Sequence, residues 1–128
     1  MLNPLKTIWI FDRGYTAMEL YARIIEMNSY FIVRLRIDSY KEEKKNITEE
    51  DSPISLNITG NRLKKFHDLE LKNIYSKKWT MDLRIVTITT NNGEKYSLLT
   101  NIPQEVLGTK ELVKFTNYDG ESKQIIIL

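Results

Sequence analysis

Two apolar stretches bracket a helical stripe near the start of the chain. The first, Leu5 with Ile8, Trp9, Ile10 and Phe11, is near-continuous and ends at Asp12-Arg13-Gly14-Tyr15. A strand buried on both faces reads this way, without alternation. Thr16-Ala17-Met18-Glu19 fits a capping box, and Ala17, Leu20, Tyr21, Ile24 and Met27 follow at helical spacing until Asn28 offers a stop. Residues 30–36, Tyr-Phe-Ile-Val-Arg-Leu-Arg, return as a strand. Strand, helix and strand over about 30 residues form a βαβ unit. Asp12 then leaves the first strand at its carboxyl end, where open α/β sheets bind ligands.

Beyond Arg36 the pattern changes. Residues 38–51 are polar and charge-dense, predicting a surface loop or a short exposed helix. Pro53 marks a break, after which Ile54, Leu56 and Ile58 alternate with polar residues as in a half-buried strand. Gly60-Asn61 signals a turn. Residues 62–68 are ambiguous, and Leu69, Leu71 and Ile74 suggest a strand over 69–75. Residues 83–90 are rich in β-branched side chains and predict a strand. Asn91-Asn92-Gly93 turns it into a hairpin whose return strand is 94–102. After Pro103, residues 104–114 predict a helix that Gly108 interrupts, with Thr109 able to cap the second piece. Asn117 to Glu121 reads as a turn before the apolar tail Ile125 to Leu128. The pattern therefore predicts an α/β chain (α+β with an insert): a strand–helix–strand core over 1–37, an antiparallel β-rich insertion over 38–100, and a helix with a tail over 101–128.

Composition narrows the function classes. The apolar fraction of 41% and charged fraction of 28% are those of an ordinary globular chain. With 19 basic and 17 acidic residues the net charge is +2, so contact with nucleic acid has to come from local clusters. The absence of cysteine removes disulfides and thiolate metal sites and fits a cytoplasmic protein. No apolar run approaches the roughly 20 residues of a membrane span, so no membrane partner is expected. His67 is the only histidine, which rules out a histidine metal site and leaves it as a polar loop residue. No phosphate-cradling glycine loop is present.

Three stretches carry a resemblance. Asp12-Arg13-Gly14-Tyr15, then the strand Phe31-Ile32-Val33-Arg34-Leu35-Arg36, and far downstream Tyr96-Ser97-Leu98-Leu99-Thr100-Asn101 resemble, in that order, the motifs of insertion-sequence DDE transposases. The resemblance implies a partial ribonuclease H-like fold and, for the parent protein, binding of insertion-sequence DNA ends and metal-dependent strand cleavage and transfer. It assigns Asp12 as a catalytic and metal-binding carboxylate, and Arg13, Arg34 and Arg36 as DNA contacts. Mg²⁺ or Mn²⁺ is the implied cofactor. Two such ions about 3.5–4 Å apart would activate the attacking oxygen and stabilise the leaving one, held by carboxylates that converge from several elements.

The family pattern fails near the end. A Y-x-x-R-x-x-x-E helix would put its tyrosine, arginine and acid at Thr116, Asp119 and Lys123, and none matches. The family's first aspartate is expected on a strand preceding this chain. One carboxylate cannot hold two metals, so the chain alone is expected to be inactive.

Each residue also has a plainer reading. Asp12 could cap its turn, Arg13 could pair with Glu19, and Arg34 and Arg36, on one face by the period of two, could decorate a solvated surface. Lys64-Lys65 and Lys77-Lys78-Trp79 read as solvated surface. The rival function is a non-catalytic module. It would self-associate through the open edge of the first strand as a homo-oligomer, or would be closed by the Ile125–Leu128 tail as a repurposed interaction fold.

Overall fold

The structure is a computed structural model that describes residues 6–11, 18–36, 38–116 and 123–127. The chain opens with β1 (Lys6–Phe11), α1 (Met18–Glu26) and β2 (Tyr30–Leu35). β1 and β2 lie parallel, with Ile8 opposite Tyr30 and Phe11 opposite Val33. Asn28 ends α1 as its spacing predicts. It takes a left-handed backbone with φ of 58°. The Asn28 and Ser29 amides donate back to the Ile25 and Ile24 carbonyls at 2.9 and 3.0 Å, a Schellman closure in which asparagine replaces the commoner glycine. The proposed Thr16 cap lies outside the described residues.

The insertion contributes both strands and helices. After α2 (Lys41–Lys44) come β3 (Asp51–Asn57), α3 (Gly60–Lys64), α4 (Leu69–Ser76), β4 (Thr80–Thr89) and β5 (Lys95–Thr100), followed by α5 (Thr109–Thr116) and β6 (Lys123–Ile127). The mixed sheet runs in the order β3-β4-β5-β2-β1, with β6 added along β1. Apart from β1 and β2, every strand pair is antiparallel. The insertion thus extends the sheet of the βαβ unit. The outer edge of β1, which the pattern leaves open, is paired with β6 over residues 6–10 and 123–127.

Three local expectations are overturned. Pro53 sits inside β3, opposite Arg84; β3 is an edge strand, where a proline lacking its N–H interrupts no ladder. Gly60-Asn61 begins α3, because the Thr59 side chain accepts the Arg62 amide and caps a helix. Residues 69–76 are the helix α4 rather than a strand. Asp68 caps it by accepting the Glu70 and Leu71 amides, and its buried residues are Leu71 and Tyr75, one turn apart, while Leu69 is 78% exposed. The hairpin is as predicted, with Gly93 at φ of 82°.

Each face of the sheet has its own core. On one, α1, α3 and α4 cover Phe31, Val33, Leu35, Leu56, Met81, Ile85 and Leu99, with the Tyr21 ring stacked on Phe31 at 4.7 Å. Glu19, expected to reach back to its own helix start, accepts the His67 and Asp68 amides at 2.7 Å and so ties α1 to the head of α4. On the other face, residues 102–112 bring Ile102 and Leu112, both fully buried, onto Ile8, Ile10, Ile32, Val86 and Leu98. Residues 104–107 form turns, and the helix starts only after Gly108, whose carbonyl accepts the Leu112 amide at 2.9 Å. Gly108 thus ends one piece and opens the next.

Candidate nucleic-acid interface

Because β1 and β2 are parallel, their carboxyl ends share one end of the sheet, and Phe11 stands opposite Val33 there. Asp12 and Arg13, which follow in the chain, lie outside the described residues. Arg34 and Arg36 are described, and both line one open groove together with Lys44, Lys95, Tyr96, Ser97, Asp38 and Glu94. The period of two in β2 and the antiparallel pairing of β2 with β5 account for the meeting. Arg34 is registered with Leu98, so Tyr96, two residues before Leu98 in β5, is its diagonal neighbour on the same face.

The groove encloses about 930 Å³, near the top of the roughly 300–1,000 Å³ usual for small-molecule clefts. Its lining carries four cations and two carboxylates, a charge balance that favours an anion.

How the arginines are engaged separates the groove from the rest of the molecule. Arg23 lies 3.9 Å from Glu19 and from Asp68, Arg62 pairs with Glu43, and Arg84 pairs with Asp51 at 2.6 Å. Among the described residues, neither Arg34 nor Arg36 has an ion-pair or side-chain hydrogen-bond partner. Arg34 instead places its guanidinium 4.2 Å from the centre of the Tyr96 ring, and its Nε is buried without an acceptor. The Lys44 ammonium reaches the Arg36 carbonyl at 3.5 Å, and burial lowers its pKa, with Asp38 opposing and Lys41 adding to the shift.

On the same face, at the insertion's far side, sits a closed network. Arg84 forks onto Asp51 and also donates to the Ile102 and Leu107 carbonyls, while the Thr109 hydroxyl donates to Asp51 at 2.6 Å. All three guanidinium nitrogens of Arg84 have an acceptor there, which marks a structural clasp rather than a binding site. Thr109 thus serves the clasp and is not the cap its spacing suggests. Sequence reasoning missed this pair; its one signal was a charge in the middle of the apolar β4 strand.

Among the described residues no three histidine, aspartate or glutamate side chains cluster as metal ligands, and no helix is long and apolar enough to cross a membrane. Comparison of the chain with protein-family models, with curated proteins and with solved structures finds no match in any of the three.

Proposed function

We propose that this chain is a portion of an insertion-sequence DDE transposase with a ribonuclease H-like core, and that it holds the DNA backbone in the Arg34–Arg36 groove without cutting it. The observation that carries the reading is the pair of arginines lacking carboxylate partners among the described residues, at the sheet end where β1 stops. A guanidinium with open donors matches a phosphate in charge and geometry. Asp12, the carboxylate that the resemblance assigns to Mg²⁺ or Mn²⁺, lies outside the described residues, and those described offer no further ligand cluster. The acid of the family's last helix would fall on Lys123, so this reading includes no metal-dependent step by this chain alone.

The test is fluorescence anisotropy of a labelled duplex at several salt concentrations. Weak binding that falls steeply with salt is expected. Replacing both arginines with alanine should flatten the salt slope by about 2, one for each phosphate no longer neutralised. Absence of binding at low salt, or binding indifferent to the double substitution, would overturn the reading. So would Mn²⁺-dependent nicking of terminal-repeat DNA that Asp12→Ala abolishes, as far as inactivity is concerned.

A second reading has its own observation. β6 lies antiparallel along the outer edge of β1, as in a repurposed, closed interaction module. That reading expects a clean monomer by light scattering and association of a chain ending at Thr116, through the uncovered β1 edge. It also expects no affinity for DNA.

A further inference from the structure

We infer that Tyr96 is the positioning residue of the groove: its ring fixes the Arg34 guanidinium in the orientation that receives a phosphodiester oxygen. The inference rests on the DNA-backbone reading of the groove and adds how the groove is set before the ligand arrives.

Arg34 is anchored at one end and open at the other. Its Cζ lies 4.2 Å from the Tyr96 ring centre, and its Nε is buried. Among the described residues no hydrogen bond or ion pair holds its side chain. An arginine side chain free in solvent has many rotamers to lose on binding. One already laid on an aromatic face keeps its charge and its planar fork while most of that freedom is gone. Tyr96 is itself fixed, because it is a β5 residue registered with Ile88 and packs at the margin of the Ile32, Val86 and Leu98 core. Arg36, exposed on the groove rim, has no such platform among the described residues and serves as a second, solvent-facing charge. The division gives one guanidinium of fixed direction and one open to solvent, as suits a backbone read by position rather than by base.

The experiment compares Arg34→Ala, Tyr96→Phe, Tyr96→Leu and Arg34→Ala/Tyr96→Leu in duplex binding at low salt, each checked for its thermal midpoint. Tyr96→Phe keeps the ring and should bind within about twofold of the parent. Tyr96→Leu should weaken binding by about 3–10-fold, the worth of one cation–π pair, and should add nothing once Arg34 is gone. If Tyr96→Leu does not fold, Tyr96→Thr, whose β-branched side chain suits a strand, takes its place. A readout without DNA is the Arg34 Nε–H proton resonance, which the ring should move upfield in the parent and in Tyr96→Phe but not in Tyr96→Leu. Loss of affinity in Arg34→Ala with none in Tyr96→Leu would overturn the positioning role and leave the groove reading standing. An Arg34→Ala chain that binds DNA as the parent does would instead remove the groove reading. An unshifted Arg34 resonance in the parent would also overturn the inference.

Discussion

Arg84 in the middle of β4 grips Asp51 at the start of β3 side-on, Nε to Oδ1 at 2.8 Å and Nη2 to Oδ2 at 2.6 Å. The two side chains are 9% and 12% exposed, so this is an ion pair out of water, and its value lies in completeness. Removing the carboxylate strands a guanidinium that only two carbonyls then satisfy. Asp51→Ala should therefore lower unfolding free energy by about 3–5 kcal/mol. Thr109→Val, which removes one neutral donor, should lower it by about 1 kcal/mol. Urea denaturation followed by circular dichroism measures both, and equal losses in the two variants would contradict the account.

The same pair sets a pH dependence. Hydrogen bonds from Arg84 hold the Asp51 carboxyl below its ordinary range; burial opposes them, and the Thr109 hydroxyl reinforces them. A depressed folded-state pKa means stability that is fully present above the unfolded value of about 3.9 and is lost as pH falls through the lower folded value. Glu43 behaves in the same sense: burial raises it, but hydrogen bonds from Arg62 and the Asn57 amide outweigh burial. The urea midpoint of the parent should thus fall as pH drops below about 4, with a visibly shallower fall in Asp51→Asn. Parallel curves would remove Asp51 from the cause.

Asn101 fastens the start of β2. Its Oδ1 accepts the Phe31 amide at 2.8 Å and its Nδ2 donates to the Ser29 carbonyl at 2.9 Å. Phe31 is fully buried, so Asn101→Ala leaves its amide without water or partner. A loss of about 1–3 kcal/mol is expected, with Asn101→Asp intermediate because it keeps the acceptor and loses the donor. Hydrogen exchange at the Phe31 amide is the direct check: it should accelerate in Asn101→Ala and stay protected in Asn101→Asp.

The elements that sequence reading recovered are those whose signal is local. Asn28 stops α1 by its own backbone, and Asn91-Asn92-Gly93 turns the hairpin without help from elsewhere. The insertion was misread where a side chain's meaning depends on a distant neighbour. Pro53 breaks a central strand but not an edge one, and nothing near it in sequence says which β3 is. Leu69, Leu71 and Ile74 fit a strand only if Leu69 points inward; the Asp68 cap was the cue that a helix begins there instead. At the candidate site, the shared face of Arg34 and Arg36 followed from their spacing. Their meeting with Tyr96 did not, since it depends on β5 pairing with β2.

The place of β2 in the sheet has a kinetic consequence. One flank is completed by β1 through a short helical crossover, the other by β5, with the Thr100 hydroxyl donating to the Phe31 carbonyl across 69 residues of chain. Closing so long a loop is an entropic barrier, whereas the β4–β5 hairpin can zip up by itself. Refolding is accordingly expected to wait on the encounter of a finished hairpin with the β1–α1–β2 unit, the middle of the future sheet staying a bare, sticky border until then.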